Sequence, residues 1–111
     1  MKYDICIIGG AGRVGLPLSI SFALKDLKVL ILDKNIDYLN KIKNGIFPFK
    51  EKNGEEFLKK ALNKGNLFLS SNNKDISFSK TILITVDTPM DDFTKKDFTL
   101  IEKLKKIFFN I

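Results

Sequence analysis

Residues 7–18 read Ile7-Ile8-Gly9-Gly10-Ala11-Gly12-Arg13-Val14-Gly15-Leu16-Pro17-Leu18, with four glycines between positions 9 and 15. Only one register satisfies G-x-G-x-x-G: Gly10, Gly12 and Gly15. On the amino-terminal side, Tyr3 to Ile8 is a short β-branched run stopped by glycine, the pattern of a buried strand. On the carboxyl side, apolar residues recur at Val14, Leu16, Leu18, Phe22 and Ala23, as in a helix from about Arg13 to Lys25 packed on a sheet. Pro17 fits such a helix only within its first turn, where a missing N–H forfeits little. The proline therefore argues for a helix that starts at the glycines.

A strand, a glycine turn and a helix in that order form an anion cradle. In that reading Gly10 makes the tight turn off the strand. Gly12 lets main-chain amides approach a pyrophosphate with no Cβ between, and Gly15 brings the helix close to the strand. Amide groups at the new helix start point at the anion, and the helix dipole favours it there. Gly9 falls outside the motif and is expected to relieve crowding where the strand leaves the sheet. Arg13 is placed either to reach a phosphate or to lie in solvent. No Gly-Lys-Ser/Thr ends the run, which excludes a P-loop.

Glycine-rich turns after strands are common, so the motif alone is weak. It is answered 18 residues past Gly15 by Asp33, at the end of the run Lys28 to Asp33 that reads as a second strand. An acid there accepts the hydroxyls of an adenosine ribose and repels a 2′-phosphate, so NAD is favoured over NADP. Lys34 keeps NADP open, and a plain helix-capping role for Asp33 is the structural alternative.

Further on, Asn35 is positioned to cap a helix carrying Ile36, Leu39 and Ile42 that ends at Gly45. A linker over residues 46–54 follows. Glu55 to Lys64 reads as an amphipathic helix with Phe57, Leu58, Ala61 and Leu62 inward and Gly65 as its stop. Leu67 to Ser70 is a short strand, Asp75 to Ser79 an irregular turn, and Thr81 to Val86 the fourth strand. Thr99-Leu100-Ile101-Glu102 is a capping box opening a last helix. Apolar strands alternating with helices imply an α/β fold, a Rossmann-type doubly wound parallel sheet with the first strand central. About four strands are expected in the order 3-2-1-4, where a complete dinucleotide fold has about six. The fold therefore reads as incomplete, cut after the last helix.

Composition bounds the rest. The chain has 111 residues, 44% of them apolar, enough for one globular domain. Its apolar runs stay far below the ~20 residues of a membrane span, and no secretory h-region opens it. These readings place the protein in the cytoplasm. The net charge is +6, yet Arg13 is the single arginine among 19 basic residues and the lysines are interleaved with acids, which reads as a solvated surface and not a nucleic-acid stripe. Histidine is absent, Cys6 reads as a buried strand residue, and the Asp91–Asp92 pair reads as solvated. No metal is expected.

With these residues in view, the chain resembles the NAD-binding part of the UDP-glucose/GDP-mannose dehydrogenase family. The matching stretches are residues 7–18 as quoted, Leu32-Asp33-Lys34-Asn35, Lys43-Asn44-Gly45, Phe47-Pro48-Phe49 with Glu51, Gly65-Asn66-Leu67-Phe68-Leu69 and Val86-Asp87-Thr88-Pro89. The resemblance implies that Gly10, Ala11, Gly12, Arg13, Val14 and Gly15 hold the pyrophosphate of NAD. It implies likewise that Asp33 with Lys34 serves the adenosine ribose, and that Val86 and Thr88 approach the cofactor from the end of the fourth strand. Arg13 stands where the family often has tyrosine, Asp87 where it has a small residue, and Tyr38 where many members have lysine. The family oxidises a nucleotide sugar twice, at C6 of a UDP-sugar, using a cysteine, lysine and asparagine that match nothing in this chain.

The implied role is the cofactor-binding portion of such an enzyme, with residues 1–111 as its N-terminal domain, the catalytic and sugar-binding domains absent, and no turnover by the chain alone. The competing expectations are a free-standing nucleotide-binding module without chemistry, or an NAD-dependent dehydrogenase of a related fold. A fourth strand at the sheet edge without lysine or proline predicts self-association through it, or through the last helix.

Overall fold

A computed structural model describes residues 2–85. Four strands form one parallel sheet in the order β3-β2-β1-β4, as the motif order predicts. The elements are β1 (Tyr3–Ile8), α1 (Gly15–Leu24), β2 (Val29–Leu32), α2 (Ile36–Lys43), α3 (Gly54–Lys64), β3 (Leu67–Ser70) and β4 (Ser79–Ile84), with a 3₁₀ turn over Asn73–Phe78 before β4. Register is set by pairs such as Ile8 with Leu32, Ile8 with Ile84, and Leu32 with Ser70. The carboxyl ends of all four strands therefore lie on one rim. β2 is the most deeply covered, each of its four residues buried. Removing a side chain of that kind from water contributes about 1.5–3 kcal/mol.

The sheet carries apolar clusters on both faces. Ile5, Ile7, Val29 and Ile31 pack with Leu16, Ile20 and Ala23 of α1, Leu39 and Ile42 of α2, and Leu58 and Ala61 of α3. On the opposite face Cys6, Leu30 and Leu32 pack with Tyr3 and Ile76 of the 3₁₀ turn. The alternation of Cys6 against Ile5 and Ile7 is the period-two consequence of a strand buried on both sides. Burial lifts the Cys6 thiol to about 11; the neighbouring Ser79 hydroxyl pulls the other way and Asp75 adds to the rise. Cys6 is therefore a protonated core residue at neutral pH.

Three boundaries and one helix face depart from expectation. α1 begins at Gly15 and not Arg13, which leaves Val14 before the helix as its cap residue, 59% exposed and not inward. Helical periodicity does not extend to a residue outside the helix. Pro17 is accordingly the third helical residue, where its missing N–H has no helical partner to lose. In α3 Phe57 is 42% exposed, because the buried stripe runs through Gly54, Leu58 and Ala61. The segment 73–78 is a 3₁₀ turn, and β4 starts at Ser79, two residues earlier than its apolar run. Parallel pairing begins where Tyr3 meets Ser79 and depends on backbone, not polarity. As a result Lys80 lies within the edge strand, contrary to the expectation of an edge without lysine. The capping box at 99–102 lies outside the described residues.

Candidate functional site

The site is the rim where β1 and β2 end. Its shape follows from Gly9, whose φ of +78° turns the chain off β1, so the tight turn belongs to this glycine and not to Gly10. The Gly9 N–H donates to Leu32 O at 2.8 Å, and the Gly12 N–H closes the turn on Gly9 O at 3.1 Å. A Cβ on Gly9 would collide with the carbonyl oxygen of Thr85. Gly10 is needed for a different reason: a Cβ there would lie 2.8 Å from the Ile31 side chain and from Ile7 O. On Gly15 it would run into Gly9 O and lie 2.8 Å from the Gly10 Cα, which is the predicted close approach of α1 to the end of β1. The fourth glycine is thus part of the device.

Thr85 is the residue that sequence reasoning missed. Its N–H donates to Ile8 O at 2.8 Å, and its hydroxyl donates to Ile8 O at 2.9 Å and Gly9 O at 3.3 Å. It clamps the start of the turn from the neighbouring strand. The available signal was a threonine breaking the apolar run directly after Ile84.

Beyond the turn, the chain leaves donors free. Leu16 N–H closes on Gly12 O at 2.9 Å. Among the described residues the amides of Arg13, Val14 and Gly15 donate to no acceptor. Val14 supplies no side-chain cap, and no acidic residue sits in the first turn. A helix start left this way carries partial positive charge and unsatisfied N–H groups, the requirements of an anion site.

Asp33 faces this turn. Its Oδ2 accepts from the Ala11 N–H at 3.0 Å and its Oδ1 from the Asn35 N–H at 3.0 Å. The carboxylate is half-buried. Of its roughly four lone-pair positions two are engaged, which leaves acceptors for two hydroxyls. The capping alternative is only partly realised, because the cap of α2 is Asn35, which accepts from the Tyr38 N–H at 3.1 Å. Lys34 and Arg13 are both exposed. The Arg13 guanidinium lies over the Phe49 ring, 5.4 Å from its centroid. Val86 and Thr88 lie outside the described residues, as do Asp91 and Asp92. Gly10, Ala11, Gly12, Arg13, Val14, Gly15, Asp33 and Lys34 therefore gather on one rim.

The comparisons with known proteins agree in kind. The sequence profile described as UDP-glucose/GDP-mannose dehydrogenase family, NAD binding domain, matches residues 3–109. A UDP-N-acetyl-D-mannosamine dehydrogenase of Pyrococcus horikoshii is 31% identical over 81 residues, 73% of this chain and 19% of that protein. Among solved structures, the UDP-N-acetyl-mannosamine dehydrogenase of Staphylococcus aureus superposes with a TM-score of 0.79 at 28% identity, over 96% of this chain and 26% of that one. A UDP-glucose dehydrogenase from Pyrobaculum islandicum gives 0.73 at 26% identity, over 80% of this chain and 21% of that one. The chain thus spans about a fifth to a quarter of the length of these relatives.

Proposed function

The chain belongs to the UDP-glucose/GDP-mannose dehydrogenase family as its NAD-binding domain, and on that premise we propose that residues 1–111 are the N-terminal cofactor-holding part of a nucleotide-sugar dehydrogenase. Gly10, Ala11 and Gly12 shape the turn, their amides engaged by Leu32 O, Asp33 and Gly9 O, and Arg13, Val14 and Gly15 offer the amides that hold the diphosphate of NAD. Asp33, flanked by Lys34, holds the adenosine ribose, and the family resemblance assigns Val86 and Thr88 to the cofactor as well. The observation that carries this reading is the start of α1, three amides without an acceptor among the described residues beside a carboxylate that still has acceptors to offer. When bound, NAD supplies a hydride acceptor. The protein's own contribution is to fix the nucleotide end: the amides and the dipole of α1 fit a dianionic linker, and Asp33 fits a diol while opposing an added phosphate.

The parent reaction in this reading is oxidation of a UDP-sugar at C6 to the uronic acid. The named relatives act on UDP-glucose and on UDP-N-acetylmannosamine, and the choice between such sugars rests with residues other than the rim. Cys6, the single cysteine of the chain, is buried within β1 with its thiol pushed up to about 11, so it is no nucleophile for that chemistry. This chain alone accordingly forms no NADH from a UDP-sugar. Strand β4, the edge of the sheet among the described residues and with Ile82 38% exposed, offers a surface for self-association that Lys80 partly blunts.

Calorimetric titration of NAD tests the reading. The chain binds NAD more tightly than NADP, and Asp33→Asn weakens NAD about tenfold or more by removing charge-assisted hydrogen bonds. Equal affinity of Asp33→Asn and the native chain for NAD would refute the ribose assignment.

A further inference from the structure

The connection between α2 and α3 reaches back to the glycine turn through one aromatic ring. Phe49, which carries the Arg13 guanidinium on its face, is itself anchored. It meets the buried Phe47 edge to face, with ring centroids 4.9 Å apart at 83°, and lies 6.4 Å from the Tyr38 ring of α2. Phe47 is held in turn: its N–H donates to Glu55 Oε2 at 3.4 Å, and its ring rests on Gly54, where a Cβ would lie 2.8 Å from it. Among the described residues no carboxylate pairs with Arg13. A guanidinium held over a ring by its charge spends no N–H donor on that contact, so its donors stay available as a fork that matches two phosphate oxygens. An arginine already laid on a ring also loses less side-chain freedom when it grips a ligand.

We propose that Phe49 is a positioning residue for coenzyme binding, holding Arg13 beside the free amides of α1 so that the guanidinium closes over the diphosphate. This rests on the cofactor reading above and extends it to a residue outside the glycine turn, on the α2–α3 connection. The group recognised is the pyrophosphate and not the base, so the effect of Phe49 passes entirely through Arg13.

Calorimetry with NAD, ADP and adenosine separates the possibilities. Phe49→Leu weakens NAD and ADP about threefold and leaves adenosine unchanged, as loss of an exposed cation–π contact requires. Phe49→Tyr, which keeps a ring, retains native affinity. Arg13→Ala weakens both diphosphate ligands about tenfold, and adding Phe49→Leu to it costs nothing further. Should Phe49→Leu fail to fold, Arg13→Lys carries the test: the charge stays, the fork is lost, and diphosphate affinity falls at an unchanged melting temperature. A loss of adenosine binding in Phe49→Leu equal to that of ADP overturns the proposal, as does an undiminished Phe49 effect in the Arg13→Ala background. A native chain that binds neither NAD nor ADP would instead bring down the cradle reading, and this one with it. Native binding of both, with variants that behave otherwise, defeats this proposal alone.

Discussion

Helices α1 and α2 each follow a parallel strand onto the same face of the sheet, and they begin in opposite ways. α2 is closed within the protein. Asn35 caps it, Asp37 sits in its first turn, and Lys41 and Lys43 occupy its last. α1 has neither a side-chain cap nor an acid at its start, and the amides of Arg13, Val14 and Gly15 there have no acceptor among the described residues. Both ends carry the same partial positive charge of about half a unit. In α2 that charge is neutralised by the protein itself, so it contributes to folding. In α1 it is left for something that comes from outside, and the missing stabilisation reappears on binding. The contrast separates a structural helix start from one reserved for a ligand, using only local chemistry.

The largest expected effect breaks the contrast by removing the α1 start altogether. Gly9→Val places a Cβ against Thr85 O at a positive φ, and unfolding in urea should show a loss of about 3 kcal/mol or more together with no measurable NAD binding. A native-like midpoint for this variant would mean that the turn relaxes freely and is no rigid cradle.

Next in size, Val14→Asp makes α1 begin as α2 does. The new carboxylate sets a negative charge at the positive end of the helix dipole, beside the free amides, so thermal stability rises by about 0.3–1 kcal/mol while NAD affinity falls about tenfold. If stability and affinity instead fall together, the vacant cap is a packing requirement and the comparison fails.

The smallest effect sharpens the other side. Asn35→Ala removes the cap of α2 and costs about 1 kcal/mol in chemical denaturation, with NAD affinity changed by less than about twofold. A large affinity loss here would show that α2 and the ribose site are one unit, through the Asn35 N–H that Asp33 accepts.

Much of this arrangement is legible in the residues. Tyr3–Ile8 and Leu67–Ser70 are strands over the expected positions, and the capping of α2 by Asn35 follows from residue type. These features are local, set by apolar runs and by the hydrogen bond a short polar side chain makes to its own turn. The same is true of the G-x-G-x-x-G register and of Asp33 at the end of β2, which together name the cofactor class. Where the reading missed, the deciding contact was distant. Val14 fits the apolar spacing of a helix, yet the turn made at Gly9 delays the helix and turns Val14 outward. Ser79 and Lys80 look like loop, yet they pair with β1 because parallel pairing is made by backbone.

The amino-acid sequence by itself determined the alternation of strands and helices, the glycine cradle and its acidic partner, because each depends on residues close enough in the chain to constrain one another. Only the tertiary structure decided why Gly9 must be glycine, what Thr85 clamps, and that Phe49 carries Arg13. Those contacts join segments far apart along the chain. They depend on where the sheet brings two strand ends and a loop together, which no local pattern encodes.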